Sequence, residues 1–418
     1  MSARDVAAMI MSKLEASGHL ALLAGGCVRD ELLGREPDDY DVATDATPER
    51  ITALFPRTAE VGAVFGVVLV RHGGFTVEVA TFRADGKYSD ARRPDAIRFS
   101  DPKEDALRRD YTVNALFQSP RKPDSAIFDT AECRATRDGA WVIDFVGGLK
   151  DLEAKIIRAV GDANQRLAED HLRALRAARL AAKLGFEIES ETAKAIRDHA
   201  SELKGVSRER IGDEMRMMLS HPTRARAVRL IVDLALLKPV LDVDACREAT
   251  TLSTLDDAAP FALALAAWMI DLGIATPDDV RRVRDRLLLS NDERDDVKFY
   301  LMGAEAVGRK WGSWSVAMKK RAAAGRHFAG VMALVRAADR QHAEGVACEV
   351  EALTRTPSGI APVALLTGDM LAATGLKPGP MYKLILDAVY DAQLEDRVKS
   401  KEEAIAVARS MVSENRIL

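Results

Sequence analysis

Apolar and polar positions in the first third of the chain alternate at short range. "HLALLAGG" (19–26) is an apolar run closing on a glycine pair. "YDVAT", "VGAVFGVVLVRHGG" and "FTVEVATFR" follow, rich in valine and broken by glycines. This pattern predicts short strands of a small mixed sheet, with helices at 27–33 and 48–54, the second opened by Thr47-Pro48. From about residue 150 the period becomes that of helices. "DANQRLAEDHLRALRAARLAAKLG" predicts one long helix stopped at Gly185. Further Ala/Leu/Arg/Glu helices follow, with breaks near 205–207, 237–239 and 354–362. The expected class is α+β: a mixed N-terminal head, then all-helical segments.

Composition narrows the function. Aromatics make up 5% of the 418 residues, too few for base stacking to dominate binding. The net charge of −4 excludes a uniformly basic nucleic-acid surface but leaves room for a local one. Cys27, Cys133, Cys246 and Cys348 are far apart, with no CxxC pair. Neither a zinc site nor a disulfide framework is suggested, and free thiols in a reducing cytoplasm are expected. The N-terminus reads as an amphipathic helix leading into a strand, not a signal peptide, and no apolar run is long enough to cross a membrane.

The acids of "EPDDYDVAT" carry the candidate chemistry. On a strand, Asp39 and Asp41 share a face, with Tyr40 and Val42 on the other and Asp38 turned away. Two adjacent carboxylates repel unless a cation lies between them. Magnesium is the natural partner, since it takes one or two carboxylates plus substrate phosphates. Glu78 is a lone acid in the apolar strand "FTVEVATFR". If that strand lies beside the first, three carboxylates converge, the layout for two-metal phosphoryl transfer. Gly25-Gly26 stands where a strand turns into a helix, a place that suits phosphate, and Arg29 lies in the following turn. A glycine turn with a solvated acidic tail accounts for the DxD spacing alone; Gly25-Gly26, Arg29 and Glu78 together favour the catalytic reading.

"GGCVRDELLGREPDDYDVAT" resembles the signature of polymerase-β-like nucleotidyltransferases of the class II CCA-adding enzyme and bacterial poly(A) polymerase family. "RRDYTVNALF" (108–117), "DFVGGLKDLEAKIIRAVGD" (144–162), "AEDHLRALRAARLAAKLGFEIE" (168–189), "SRERIGDEMRMML" (207–219) and a C-terminal stretch from "LLTGDML" onward extend the likeness. Residues 235–360 carry no assignable motif. The resemblance implies a nucleotidyltransferase head (1–148), a helical neck selecting the base (149–235), a helical body (236–355) and a helical, tRNA-binding tail (356–418). It also implies addition of C, C and A from CTP and ATP to the tRNA 3′ end, with magnesium and release of pyrophosphate. Asp39 and Asp41 fall on the metal carboxylates and Glu78 on the third acidic position. Gly25, Gly26, Arg29, Arg108 and Arg109 fall on the nucleotide side, with Asp110 positioning the neck or meeting ribose and Asn114 supporting it.

The spacing of Asp170, Arg173, Arg176 and Arg179 sets them along one drifting helix face. A solvated ion-pair face explains that spacing as well. Base selection also fits. Cytosine and adenine each offer an amino donor beside a ring-nitrogen acceptor, whereas uracil and guanine offer the reverse. An acceptor at Asp170 beside a donor at Arg173 accepts the first pair and leaves unpaired polar groups with the second. In the resembling family these positions act as a protein template, with Arg176 and Arg179 near the nucleotide and Glu169 orienting Arg173. The polar segment 83–100 resembles the full-length flexible loop of enzymes that add all three nucleotides, and 61–70 resembles the CCA-adding branch. Residues 119–140 are longer than usual and suggest a hairpin extension of the head. Arg208, Arg210, Arg216, Lys377 and Lys383, with the turn 375–380, are candidates for tRNA contact. The rivals are a poly(A) polymerase of the same fold and a noncatalytic RNA-binding protein. Oligomeric state is left open.

Overall fold

The computed structural model describes residues 1–60, 66–85, 97–124, 126–244, 248–373 and 379–414. They form two compact units, Met1–Asp244 and Ala245–Leu418.

The first unit is built on a sheet. Among the described residues its strands are β1 (Ala21–Ala24), β2 (Asp41–Thr44), β3 (Thr58–Glu60), β4 (Val67–His72), β5 (Phe75–Thr81), β8 (Leu116–Ser119), β9 (Glu132–Ala135) and β10 (Trp141–Asp144), with β6 (Arg83–Asp85) and β7 (Ile97–Phe99) forming a separate two-stranded stem. The order is β3-β4-β5-β2-β1-β8-β10-β9. All these neighbours are antiparallel except β2 and β5, which run parallel. The 119–140 insertion supplies β9, a hairpin partner of β10 at the sheet edge, as expected.

Strand alternation decides what each face holds. Helix α1 (Ala3–Ala16) is capped by Ser2 and Asp5 and buries Val6, Ile10 and Leu14 completely. Leu22, Ala24, Ala43, Phe82 and Phe117 form a second cluster, with Phe82 and Phe117 edge-to-face at 6.0 Å. Helices α2 (Gly26–Leu32), α3 (Pro48–Leu54), α4 (Pro102–Leu107) and α5 (Gly148–Ala154) complete the mixed region. Proline opens α3 as its sequence suggested.

Helices α6 (Ala163–Glu169), α7 (Arg173–Leu184), α8 (Ser190–Asp198), α9 (Arg208–Leu219), α10 (Arg224–Asp233) and α11 (Leu237–Leu241) finish the unit. The single long helix expected over 162–185 is instead two. The chain leaves helical geometry at Asp170, φ −154° and ψ 102°, and re-enters at Arg173. Asp170 explains the break: its carboxylate accepts from the Leu172 N–H at 3.1 Å, a local bond that competes with the helix. Gly185 ends α7 in left-handed geometry, as expected.

The second unit is helical. Its helix Phe261–Leu272 is almost entirely buried, and Asp271 there accepts the backbone N–H groups of Thr251 and Leu252, both at 2.9 Å. Residues from Leu366 to Ala408 form a smaller cluster around Leu371, Ile385 and Val389. No described helix is long and apolar enough to cross a membrane.

One close approach makes a stability prediction. Gly148 begins α5 against the Thr112 carbonyl, and a Cβ there would lie 2.2 Å from that oxygen. Asp151, one turn on, accepts from the Thr112 hydroxyl at 2.7 Å, so α5 cannot move away freely. Gly148→Ala is expected to cost ~1–3 kcal/mol or more. It should appear as a lower urea midpoint with unchanged m-value.

Candidate active site

The parallel pairing of β2 and β5 sets Asp41 directly opposite Glu78. Asp39, two residues earlier, lines the same cleft, whose volume is about 900 Å³. Tyr40 and Val42 are buried, and so are Val77, Val79 and Thr81, which alternate with Glu78. The three acids therefore line one cleft, Asp41 and Glu78 from paired strands and Asp39 from the loop just before β2. Burial, then the charges of Glu78 and Asp39, pushes the Asp41 carboxyl up to about 7, with Arg109 opposing. Burial and Asp39 also raise Glu78, against Arg83, Arg109 and Arg108. This repulsion is the physical signature of a site suited to a cation. Among the described residues, no group of three or more His, Cys, Asp or Glu side chains is arranged to hold a metal by itself. The carboxylates can thus give a cation part of its shell, leaving the rest to water or phosphate.

The glycine turn faces these acids. Gly25 has φ 79° and ψ −129°, a region strained for any other residue, and its N–H donates to the Leu116 carbonyl at 2.9 Å. A Cβ on Gly25 would stand 2.9 Å from Nη1 of Arg109. Gly26 then opens α2. Arg29 is buried; it forks onto Asp30 with two bonds of 2.8 Å and donates to the Asn114 side chain. Asn114 donates in turn to Asp110 at 3.2 Å, and Arg176 binds the other oxygen of Asp110 at 2.7–2.8 Å. Burial pushes the Asp110 carboxyl up, but Arg176 and Asn114 outweigh it and hold it well below the usual carboxylate range. Of the two roles offered for Asp110, the geometry contains a contact with α7, through Arg176.

Asp170, Arg173, Arg176 and Arg179 line the same cleft. Asp170 is brought beside Arg173 by the turn between α6 and α7, not by a shared helix face. Every member is held by an opposite charge. Glu169 binds Arg173 at 2.6 Å, as expected, and the carbonyls of Arg166 and Arg108 accept from the same guanidinium. Arg179 pairs with Glu214 at 2.6 Å. Arg210 forks onto Asp170 at 3.2 and 2.6 Å. Arg210, grouped in sequence with residues for tRNA contact, is thus bonded to Asp170, because α9 packs against α7. Arg216 pairs with Asp213 at 3.3 Å. Lys383 is exposed, whereas Lys377, most of 375–380 and Cys246 lie outside the described residues, as do 61–65 and 86–96 of the two diagnostic segments.

Several residues of this site gave little sign in sequence. Asp38, expected to turn away from the face of Asp39 and Asp41, nevertheless lines the cleft, where Lys183 engages it at 2.6 Å. Arg35 meanwhile donates to the carbonyls of Lys183 and Leu184 at the end of α7. The loop before Asp39 is thereby fastened to the helix that carries Arg173. Asp105 grips both Arg108 and Arg109. Its spacing of three and four from these arginines was the available signal. Nothing local marks Glu214, Arg210 or Lys183, since their partners lie far away in the chain.

Known proteins resemble this chain in sequence and structure. Residues 21–158 match the poly A polymerase head domain, and 185–243 match a probable RNA and SrmB-binding site of polymerase A. A CCA-adding enzyme of Streptococcus mutans is 31% identical over 404 residues, 95% of this chain and 94% of its own. One from Geobacillus thermodenitrificans is 40% identical over 228 residues, 54% of this chain and 52% of its own. The crystal structure of the Bacillus stearothermophilus CCA-adding enzyme in complex with CTP superposes with a TM-score of 0.77 at 27% identity, covering all of both chains. With the full length of the chain aligned and the acids, glycine turn and Asp170 and Arg173 in one cleft, the protein belongs to the family of CCA-adding enzymes.

Proposed function

We propose that this protein adds C, C and A from CTP and ATP to the 3′ end of tRNA, releasing pyrophosphate. The observation that carries the proposal is the placement of Asp39, Asp41 and Glu78 in one cleft with Asp170 and Arg173. Charge for phosphoryl transfer and a donor–acceptor pair for base choice thus serve a single bound nucleotide. Gly25 and Gly26 leave room for the triphosphate to approach backbone, and Arg29 and Arg109 offset its charge. Asp110 and Asn114 link that end of the site to Arg176. Asp170 accepts from the amino group of cytosine or adenine, and Arg173 donates to the adjacent ring nitrogen. Arg108, Arg176 and Arg179 supply further positive potential along the cleft.

Asp39 and Asp41 are the residues that would hold a divalent cation, magnesium by the reasoning above. Such an ion supplies charge neutralisation on the triphosphate and a more acidic attacking hydroxyl. Glu78 completes the carboxylate group against which the tRNA 3′-hydroxyl is placed. The division into head (1–148), neck (149–235), body (236–355) and tail (356–418), and a cytoplasmic location alongside tRNA, belong to the same proposal.

The test supplies the protein with magnesium, labelled CTP or ATP, and tRNA ending before, within or after CC. Addition that stops at CCA is expected. Long A-tracts would instead make it a poly(A) polymerase, and no incorporation would leave an RNA-binding scaffold.

A further inference from the structure

Arg108 and Arg109 face the cleft from the short turn after α4. Neither is placed by its own backbone alone: each side chain is about one-fifth exposed, at 19%. What holds them is Asp105, one helical turn earlier and 1% exposed. Its two oxygens divide the work. Oδ1 accepts from Nε and Nη2 of Arg108 at 2.9 and 2.6 Å. Oδ2 accepts from Nε and Nη2 of Arg109 at 3.1 and 3.0 Å. Arg109 is thereby directed to the Asn114 carbonyl at 3.0 Å and across the Phe117 ring at 5.1 Å, with Nη1 against Gly25. Burial raises the Asp105 carboxyl, but Arg109 and Arg108 outweigh it and keep it ionised. One carboxylate between two guanidiniums does not neutralise them; a net positive charge still faces the cleft.

We propose that Asp105 is a positioning residue for nucleotide addition, a single buried carboxylate that fixes both arginines beside the glycine turn where the triphosphate binds. It touches no substrate. Its effect is to keep two long cations in one orientation before the nucleotide arrives, so that binding does not have to order them. The inference rests on the functional reading of Arg109 given above.

Steady-state kinetics of the full chain test it, with Asp105→Asn, Arg109→Met and the double variant compared for CTP, ATP and tRNA. Asp105→Asn is expected to raise KM for both nucleotides about tenfold while leaving KM for tRNA within about twofold. In the double variant the effects should fall short of multiplying, since part of the carboxylate's effect runs through Arg109 and only the part through Arg108 is left to add. A merely structural Asp105 would lower Tm and the active fraction, reducing kcat at unchanged KM. That result, or multiplying effects, overturns the proposal. If Asp105→Asn does not fold, Asp105→Glu, which keeps the charge one methylene out of place, is measured instead. A raised nucleotide KM supports the proposal and an unchanged one overturns it. An unchanged nucleotide KM in Arg109→Met would remove the reading of Arg109 and the proposal with it. A raised KM there, with none in Asp105→Asn, removes the proposal alone.

Discussion

Asp41→Asn is expected to all but stop nucleotide addition while making the metal-free protein more stable. The two effects have one cause. In the absence of a cation, Asp41 lies half-buried beside Asp39 and opposite Glu78, which raises its carboxyl to about 7. A group whose folded pKa exceeds its unfolded value binds more protons when folded. Stability therefore falls as pH rises from about 4 through about 7, and the full penalty is present above that. Asparagine keeps the shape and removes the charge. In chelator, its unfolding free energy should exceed the parent's by ~1–3 kcal/mol at pH 8, with the gap shrinking toward pH 4. With magnesium and nucleotide the order of catalysis is opposite: loss of a carboxylate that would hold the cation should cost on the order of 10³-fold in rate. Thermal unfolding across pH and labelled-CTP incorporation make the two measurements. Normal turnover in the variant, or a stability gap that grows toward acid pH, would remove Asp41 from its assigned role.

Arg173→Ala should blur the choice of base. In the parent, Arg173 is fixed by Glu169 and by two backbone carbonyls, and Asp170 by Arg210. A base that presents a carbonyl to Asp170 and an N–H to Arg173 leaves buried groups on both sides unpaired, each costing ~1–3 kcal/mol. Removing the guanidinium lifts half of that penalty, so incorporation of UTP relative to CTP should rise by about 10- to 100-fold. Glu169→Gln should do less, because the carbonyls of Arg166 and Arg108 still hold the side chain. Competition between labelled UTP and CTP on a tRNA lacking its CCA reads the ratio directly. Unchanged selectivity in Arg173→Ala would count decisively against the template role.

The sequence made part of this site readable because strand geometry is local. A two-residue repeat put Asp39 and Asp41 together, and the apolar setting of Glu78 marked it as the third acid. That these strands are neighbours was a condition, met only by the parallel pairing of β2 with β5. The neck was less legible. Helical spacing suggested a continuous face from Asp170 to Arg179, yet Asp170 bonds to the Leu172 N–H and leaves the helix. Asp and Asn carry that competing option in any helix, so periodicity alone does not resolve it. The counter-charges were least legible. Glu214 and Arg210 come to α7 from another helix, and Lys183 reaches back 145 residues to Asp38. Such pairings depend on tertiary packing, which no local pattern encodes.

The register of β2 against β5 has a consequence for how activity is lost. Glu78 faces Asp41 only because Val42, Ala43 and Thr44 are simultaneously matched to Val79, Ala80 and Thr81. A slip of one residue would send Glu78 to the opposite side of the sheet and bring buried valines into water. There is consequently no inexpensive intermediate in which the sheet persists and the acids are misaligned. The catalytic centre inherits the all-or-none character of the sheet around it, and on heating it disappears with that sheet instead of fading beforehand.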